Sequence, residues 1–279
     1  MSYFSPTSAD EAYALVGETG ARIIAGCTDF FPALRAGEHH DPIIDLTRIK
    51  EFRGITETAS GWRIGALTTW TEIVRSDLPP AFRSLQQAGR EIGSIQIQNR
   101  GTIGGNICNA SPAADGVPPL LTLNARVEIS SQSGRRELPL QAFIKGVRSV
   151  DLNPGEIVSA IHVPQCADDL KSTFHKLGSR THMVISIAMV AAAIALRDGR
   201  IAEARVAVGS CSPVARRLPD FEVRLSGMTP EQVATLEIVA NPDLSPLSPI
   251  TDVRGSASYR LDVVSELCRR AVLAACEGN

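Results

Sequence analysis

The sequence predicts an α+β protein, and three observations carry that prediction. Strand patterns arrive as neighbours joined by turns: residues 126–130 and 136–140 flank Gly134, and Asp198-Gly199 separates an apolar stretch ending at Leu196 from residues 201–208. An Asp-Gly step between such runs is a hairpin signal. Helical patterns stand apart from these pairs, most clearly near the C-terminus, where Leu261, Val264, Leu267, Cys268, Ala271 and Val272 make one apolar stripe at helical spacing. Finally, a chain of 279 residues, 44% hydrophobic and 21% charged, has an ordinary globular composition and the length for about two domains.

Taken in order, residues 8–19 read as a helix, with Ser8 as cap, Glu11 three positions on and Gly20 after its end. Residues 22–25 form a short apolar strand that delivers a glycine loop, 30–36 a helical turn, and 42–46 another strand. Residues 62–66 alternate as a half-buried strand does. A helix begins over 71–75 with Thr69 as its cap, and a second lies within 79–91, leading towards a glycine-rich loop around Thr102. Residues 118–124 are helical, Pro118 and Pro119 suiting a first turn. Strands follow over 126–130, 136–140 and 156–163. Composition changes over 164–170, which divides the chain into domains of 1–166 and 167–279. In the second, 173–176 and 183–196 are strand-like, 201–208 returns across the Asp-Gly turn, and 230–239 and 256–275 are helices. There is no internal repeat and no low-complexity tract.

A formal net charge of -2 gives no reason to expect nucleic acid or an anionic membrane. The pairs Arg135-Arg136 and Arg216-Arg217 read as solvated surface. No basic segment precedes an apolar one at the N-terminus. The longest apolar run, 183–196, is broken only by Ser186 and is short of the roughly 20 residues a membrane span needs. Both absences favour the cytoplasm and no membrane span. The 6 cysteines include no C-x-x-C pair, so neither zinc nor an iron–sulfur cluster is expected on this chain, nor a disulfide framework. His162, His175 and His182 lack a ligand spacing; no metal site is expected.

The chemistry is concentrated in two glycine-bearing segments: Ile23, Ile24, Ala25, Gly26, Cys27, Thr28, Asp29 and Phe30, and Gln98 to Asn106, which contains Thr102, Ile103, Gly104 and Gly105. Glycine lets backbone approach a ligand closely. Two loops rich in free N–H groups, with Thr or Asn beside them, suit the two phosphates of a dinucleotide. Together with Ile64-Gly-Ala-Leu-Thr68, Ala110-Ser-Pro-Ala-Ala-Asp115, Gly155-Glu-Ile-Val158, Phe174-His-Lys176, and Asp252-Val-Arg-Gly-Ser256 with Tyr259-Arg260, they give a chain that resembles, over nearly its whole length, the FAD-binding medium subunit of the molybdenum hydroxylases, the group of xanthine dehydrogenase and carbon monoxide dehydrogenase. The resemblance implies a two-lobed FAD-binding domain of the vanillyl-alcohol-oxidase (PCMH) type, with lobes of about 1–55 and 56–166, and a smaller C-terminal α+β domain with an antiparallel sheet. It implies FAD as cofactor and, as partners, a small [2Fe–2S] subunit and a large molybdopterin subunit, assembled as a dimer of heterotrimers. Electrons would pass from the clusters through FAD to NAD, a quinone or oxygen. No G-x-G-x-x-G follows a strand, so NAD would have to lie directly against the flavin.

Residue by residue, the resemblance implies that Ile23 to Phe30 wrap the pyrophosphate with backbone N–H groups, Thr28 adding a hydroxyl. Thr102 supplies a phosphate-side hydroxyl, Gly104 and Gly105 permit close approach, Asn106 donates from its amide, and Ile103 packs. Asp115 accepts from a sugar hydroxyl and Ser111 faces the flavin. Ile92 and Val158 offer backbone or apolar contact, though each alone would read as core. Lys176 stands at the flavin end, where a cation stabilises negative charge on the reduced ring. Cys27 takes the place of a small residue beside a noncovalent cofactor. Asp252, Arg254 and Arg260 read as structural, shaping a subunit contact. No residue is assigned as catalytic. A self-sufficient flavin oxidase would need a base that the sequence does not offer, and an assembly subunit without FAD would not need both glycine loops.

Overall fold

The computed structural model describes residues 2–34, 41–180 and 183–278. Its first part builds a small parallel sheet in the order β1 (Tyr3–Phe4), β3 (Ile43–Asp45), β2 (Arg22–Ile24), with α1 (Ala9–Thr19) between β1 and β2 and the short α2 (Phe30–Ala33) after β2. The α1 ends are those read from the sequence. Ser8 accepts from the N–H of Glu11, and Gly20, at φ +59°, donates its own N–H to Val16. Ala12, Tyr13 and Val16 of α1 pack on Ile44, Leu46 and Phe52. The turn expected over 30–36 ends at Ala33; residues 35 and 36 lie outside the described residues.

The middle part runs β4 (Ile55–Thr58), β5 (Gly61–Gly65), α3 (Trp70–Arg75), α4 (Arg83–Glu91), α5 (Ile95–Gln98), α6 (Ile103–Asn109), α7 (Val117–Thr122), β6 (Arg126–Ser131), β7 (Gly134–Pro139), α8 (Leu140–Phe143), β8 (Ile144–Gly146), β9 (Ser149–Val150) and β10 (Ile157–Pro164). Its sheet is antiparallel throughout, in the order β4-β5-β10-β6-β7. One face buries Ile64, Val127, Ile129, Ile161 and Val163 against Ile103, Ile107, Leu120 and Phe143. The other carries a polar cluster: Glu128 accepts from Ser159 at 2.6 Å, pairs with His162 at 2.8 Å and with Arg63 at 3.1 Å. Burial opposes ionisation of Glu128, but these partners outweigh it and hold the carboxyl at about 2. His162 is therefore occupied structurally.

The last part runs β11 (Leu170–Leu177), β12 (Ala188–Arg197), β13 (Arg200–Gly209), β14 (Arg216–Arg217), α9 (Pro219–Leu225), α10 (Pro230–Ala234) and α11 (Ala257–Glu277). Its four strands pair antiparallel in sequence order. Both faces of β12 are covered. Val190, Ala192 and Ile194 meet Val264, Cys268, Ala271 and Val272 of α11, while Met189 and Ala191 pack with Ala88 of α4 and Phe174. That is why this stretch reads as a continuous apolar run without alternation. The strand expected from residue 183 begins at Ala188, opposite Leu177, because its partner β11 ends there; Ser186, just before it, donates its hydroxyl to Asp115. The helix expected over 230–239 stops at Ala234; the N–H of Val239 is taken by the Asp243 carboxylate. No helix among the described residues is long and apolar enough to cross a membrane. The architecture is α+β.

Candidate functional site

The first glycine segment leaves the carboxyl end of β2, the end of a parallel strand where ligands gather. The backbone N–H groups of Gly26, Cys27, Thr28 and Asp29 donate to no other described residue, and Cys27 holds the loop open at φ +61°. Successive undonated amides in a turn form an anion cradle. Gly26 is required here for a packing reason as well. A Cβ on it would lie 1.9 Å from the carbonyl oxygen of Arg100, so the backbone just before Thr102 rests flush against the first loop. A Cβ on Gly101 would in turn meet the hydroxyl of Thr28 at 3.5 Å. Segments over seventy positions apart in sequence are thus in direct contact.

The second segment differs from its expected form. It is not an open loop but the capped start of α6. Thr102 is the N-cap, its hydroxyl accepting from the N–H of Gly105 at 3.0 Å. The N–H groups of Ile103 and Gly104 donate to the carbonyls of Thr68 (3.0 Å) and Ala66 (2.9 Å), and Asn106 to Thr102. First-turn amides need such outside partners, and here the β5–α3 connection supplies them. Gly104 therefore approaches protein rather than ligand: its Cβ would sit 2.7 Å from Ala66. Gly105 is exposed, and a Cβ there would meet only the Thr102 hydroxyl. Ile103 is fully buried, as expected of a packing residue. Asn106 keeps its buried side-chain oxygen without a donor among the described residues.

A second group lies where α4, the turn before α7 and β11 meet. Lys176 Nζ stands 2.6 Å from Asp115 Oδ2, both side chains less than a tenth exposed, and 3.3 Å from the carbonyl of Glu91 at the end of α4. Ser186 donates to Asp115 Oδ1 at 2.6 Å. Burial raises the Asp115 carboxyl above its ordinary range, with Lys176 and Ser186 opposing. Ile92 follows Glu91 and is half-buried; Val158 is buried in the core beside a bulge in β10. The Ser111 hydroxyl accepts from the N–H of Ala113. A cavity of about 610 Å³ opens beside Lys176, lined also by Gln87, Arg90, Phe174, Arg180 and Val184.

Residues 1–166 match the model of the FAD binding domain in molybdopterin dehydrogenase, and residues 172–275 that of the CO dehydrogenase flavoprotein C-terminal domain. The chain belongs to the FAD-binding medium subunits of the xanthine dehydrogenase and carbon monoxide dehydrogenase family. It is 34% identical to the glyceraldehyde dehydrogenase medium chain of Sulfolobus acidocaldarius, covering 97% of this chain and 96% of that one. It is 32% identical to the xanthine dehydrogenase FAD-binding subunit of Escherichia coli O157:H7, covering 95% and 92%. The fold superposes on that of carbon monoxide dehydrogenase from Hydrogenophaga pseudoflava with a TM-score of 0.90 at 29% identity, over 100% of this chain and 98% of that one. The cofactor of this family member is FAD, and the chain is an oxidoreductase flavoprotein subunit with the FAD-binding and C-terminal parts that its motifs implied.

The open amides of the first loop and the glycine contact that fixes their position fit a dinucleotide diphosphate. Cys27 suits the noncovalent reading: burial pushes its thiol up, and a protonated thiol is a poor nucleophile. His175 is half-buried, its imidazole held towards the neutral form by that burial, and His182 lies outside the described residues. No group of His, Cys, Asp and Glu among the described residues is arranged to hold a metal. The sequence reading missed Ser186 and the carbonyl of Glu91 as partners of the Asp115–Lys176 pair. The one signal for Ser186 was its interruption of the apolar run 183–196.

Proposed function

We propose that this chain, as the flavoprotein subunit of a molybdenum hydroxylase, receives electrons from [2Fe–2S] clusters on a small partner subunit, fed by a large molybdopterin subunit, and delivers them to an external acceptor such as NAD or a quinone. FAD supplies the exchange between one-electron and two-electron carriers. Residues 1–166 bind it in two lobes, about 1–55 and 56–166, and residues 167–279 close the flavin end. Gly26, Cys27, Thr28 and Asp29 hold its diphosphate through their undonated N–H groups, with the chain from Ile23 to Phe30 wrapping it. Thr102, through a hydroxyl that donates to no other described residue, and Gly105, through its bare Cα, form the other wall; Ile103, Gly104 and Asn106 hold that wall in place. Asp115 and Ser111 serve the sugar side, Ile92 and Val158 the ring's apolar surroundings, and Lys176 the charge on the reduced ring. The cavity beside Lys176 gives the acceptor its approach. The complex is a dimer of heterotrimers that works in the cytoplasm.

The observation that carries this reading is the run of amides from Gly26 to Asp29 that donate to no other described residue, seated on the Arg100 backbone. Its test is direct. The full chain, purified with FAD, is expected to show flavin absorption, to lack oxidase and hydroxylase turnover of its own, and to have its flavin reduced by the reduced cluster subunit and not by the hydroxylase substrate alone. A colourless chain in the presence of excess FAD, or one that oxidises substrates unaided, would defeat the proposal.

A further inference from the structure

Arg260, on α11, is 3% exposed, and a guanidinium so placed must find acceptors. Its two terminal nitrogens find them on separate segments, while Nε has no partner among the described residues. Nη1 donates to the carbonyls of Ile187 (2.5 Å) and Ser210 (3.0 Å), and Nη2 to Asp252 Oδ1 at 2.7 Å. Asp252 is itself fixed by the N–H of Arg254 at 2.8 Å. Each carbonyl that Arg260 holds is one step from the Asp115–Lys176 pair. Ile187 follows Ser186, whose hydroxyl binds Asp115, and its N–H donates to Leu177, the residue after Lys176, at 2.8 Å. Ser210 donates its N–H to Pro112, in the turn that ends at Asp115, at 3.0 Å. Ser210 also stands at φ +63°, a conformation that a non-glycine residue keeps only when its surroundings impose it.

We propose that Arg260, fixed by Asp252, is a positioning residue for the flavin site: by tying the Ile187 and Ser210 carbonyls together it sets where the Asp115–Lys176 pair stands, and through that pair the reduction potential of the bound FAD. The proposal rests on the placement of Lys176 at the flavin end. A charge acts on the ring according to its distance and surroundings, so a residue that fixes the ammonium tunes the flavin without touching it.

The test measures the flavin midpoint potential in the full chain loaded with FAD, for Lys176→Met, Arg260→Met, Arg260→Lys and the double variant Lys176→Met/Arg260→Met. Both single Met variants are expected to move the potential in the same direction. The double variant is expected to move it no further than Lys176→Met alone, because groups acting through one another are not additive. Arg260→Lys keeps the charge but cannot span both carbonyls and Asp252; it is expected to give a smaller shift of the same sign, and it carries the measurement if Arg260→Met does not fold or hold flavin. A shift for Lys176→Met with none for either Arg260 variant overturns the inference alone, as does an additive double variant. No shift for Lys176→Met removes the placement of Lys176, and the inference falls with it.

Discussion

Gly105→Ala separates the site from the fold more cleanly than any other single change. Gly105 occupies the first turn of α6 with an ordinary backbone conformation, and an added Cβ meets only the Thr102 hydroxyl, at 3.0 Å. Alanine is favoured over glycine within a helix by about 1 kcal/mol, and slight crowding of Thr102 offsets part of that. The FAD-free chain is therefore expected to melt within about 4 °C of the parent, since about 1 kcal/mol moves a domain of this size by roughly 2–4 °C. The methyl group projects from an exposed wall of the cradle. If the diphosphate lies against that wall, an inserted methyl costs about 1–3 kcal/mol, or about fivefold to more than a hundredfold in Kd at about 1.4 kcal/mol per decade. Gly26→Ala provides the contrast. Its Cβ would lie 1.9 Å from the Arg100 carbonyl, so the two segments must part, and both melting temperature and FAD affinity are expected to fall. The assay is paired: thermal unfolding of the FAD-free chain, and FAD titration by quenching of flavin fluorescence. A Gly105→Ala chain with parental FAD affinity would take the start of α6 out of the site. An unchanged melting temperature for Gly26→Ala would refute the contact between the segments.

Lys176→Met leaves Asp115 buried with only Ser186 as a partner, and breaking a buried pair in this way costs about 3–5 kcal/mol; the melting temperature is expected to drop and the flavin potential to become more negative, whereas a parental potential would exclude Lys176 from the ring. The Glu128 carboxyl sits at about 2 in the folded chain, against about 4.3 when unfolded. A depressed carboxylate adds stability above the unfolded value that is lost as pH falls through the folded one, so the parent's melting temperature is expected to decline more steeply than that of Glu128→Gln between about pH 4.5 and 2; parallel acid limbs would contradict this. Cys27→Gly relieves a left-handed conformation at a non-glycine residue, which costs roughly 1–2 kcal/mol. The variant is expected to melt no lower than the parent and to release its FAD on acid precipitation just as the parent does; flavin retained covalently by the parent alone would overturn the noncovalent reading.

Local chemistry made much of this chain legible. Ser8 and Gly20 delimit α1, Asp198-Gly199 turns β12 into β13, and Gly26 marks the loop that ends β2, because each signal depends on neighbours within a few positions. Where partners come from afar the reading slipped. Thr102 to Asn106 looked like an open loop because glycines are poor helix formers; the carbonyls of Ala66 and Thr68, more than thirty positions earlier, satisfy its amides and make it the start of a helix. The strand expected from residue 183 starts only at Ala188 for a similar reason: its partner β11 ends at Leu177, and nothing within residues 183–187 signals where that partner stops.

By itself the sequence determined the α+β class, most element positions and the family, since those follow from periodicity, turn residues and contiguous motifs. Only the tertiary structure decided that Arg100 rests on Gly26, that the amides of the first loop find no partner among the described residues while those of the second are taken, and that Asp115, Lys176, Ser186 and Arg260 form a single connected network. Hydrogen bonds and close packing act over a few ångströms of space, and the residues they join here are tens of positions apart along the chain.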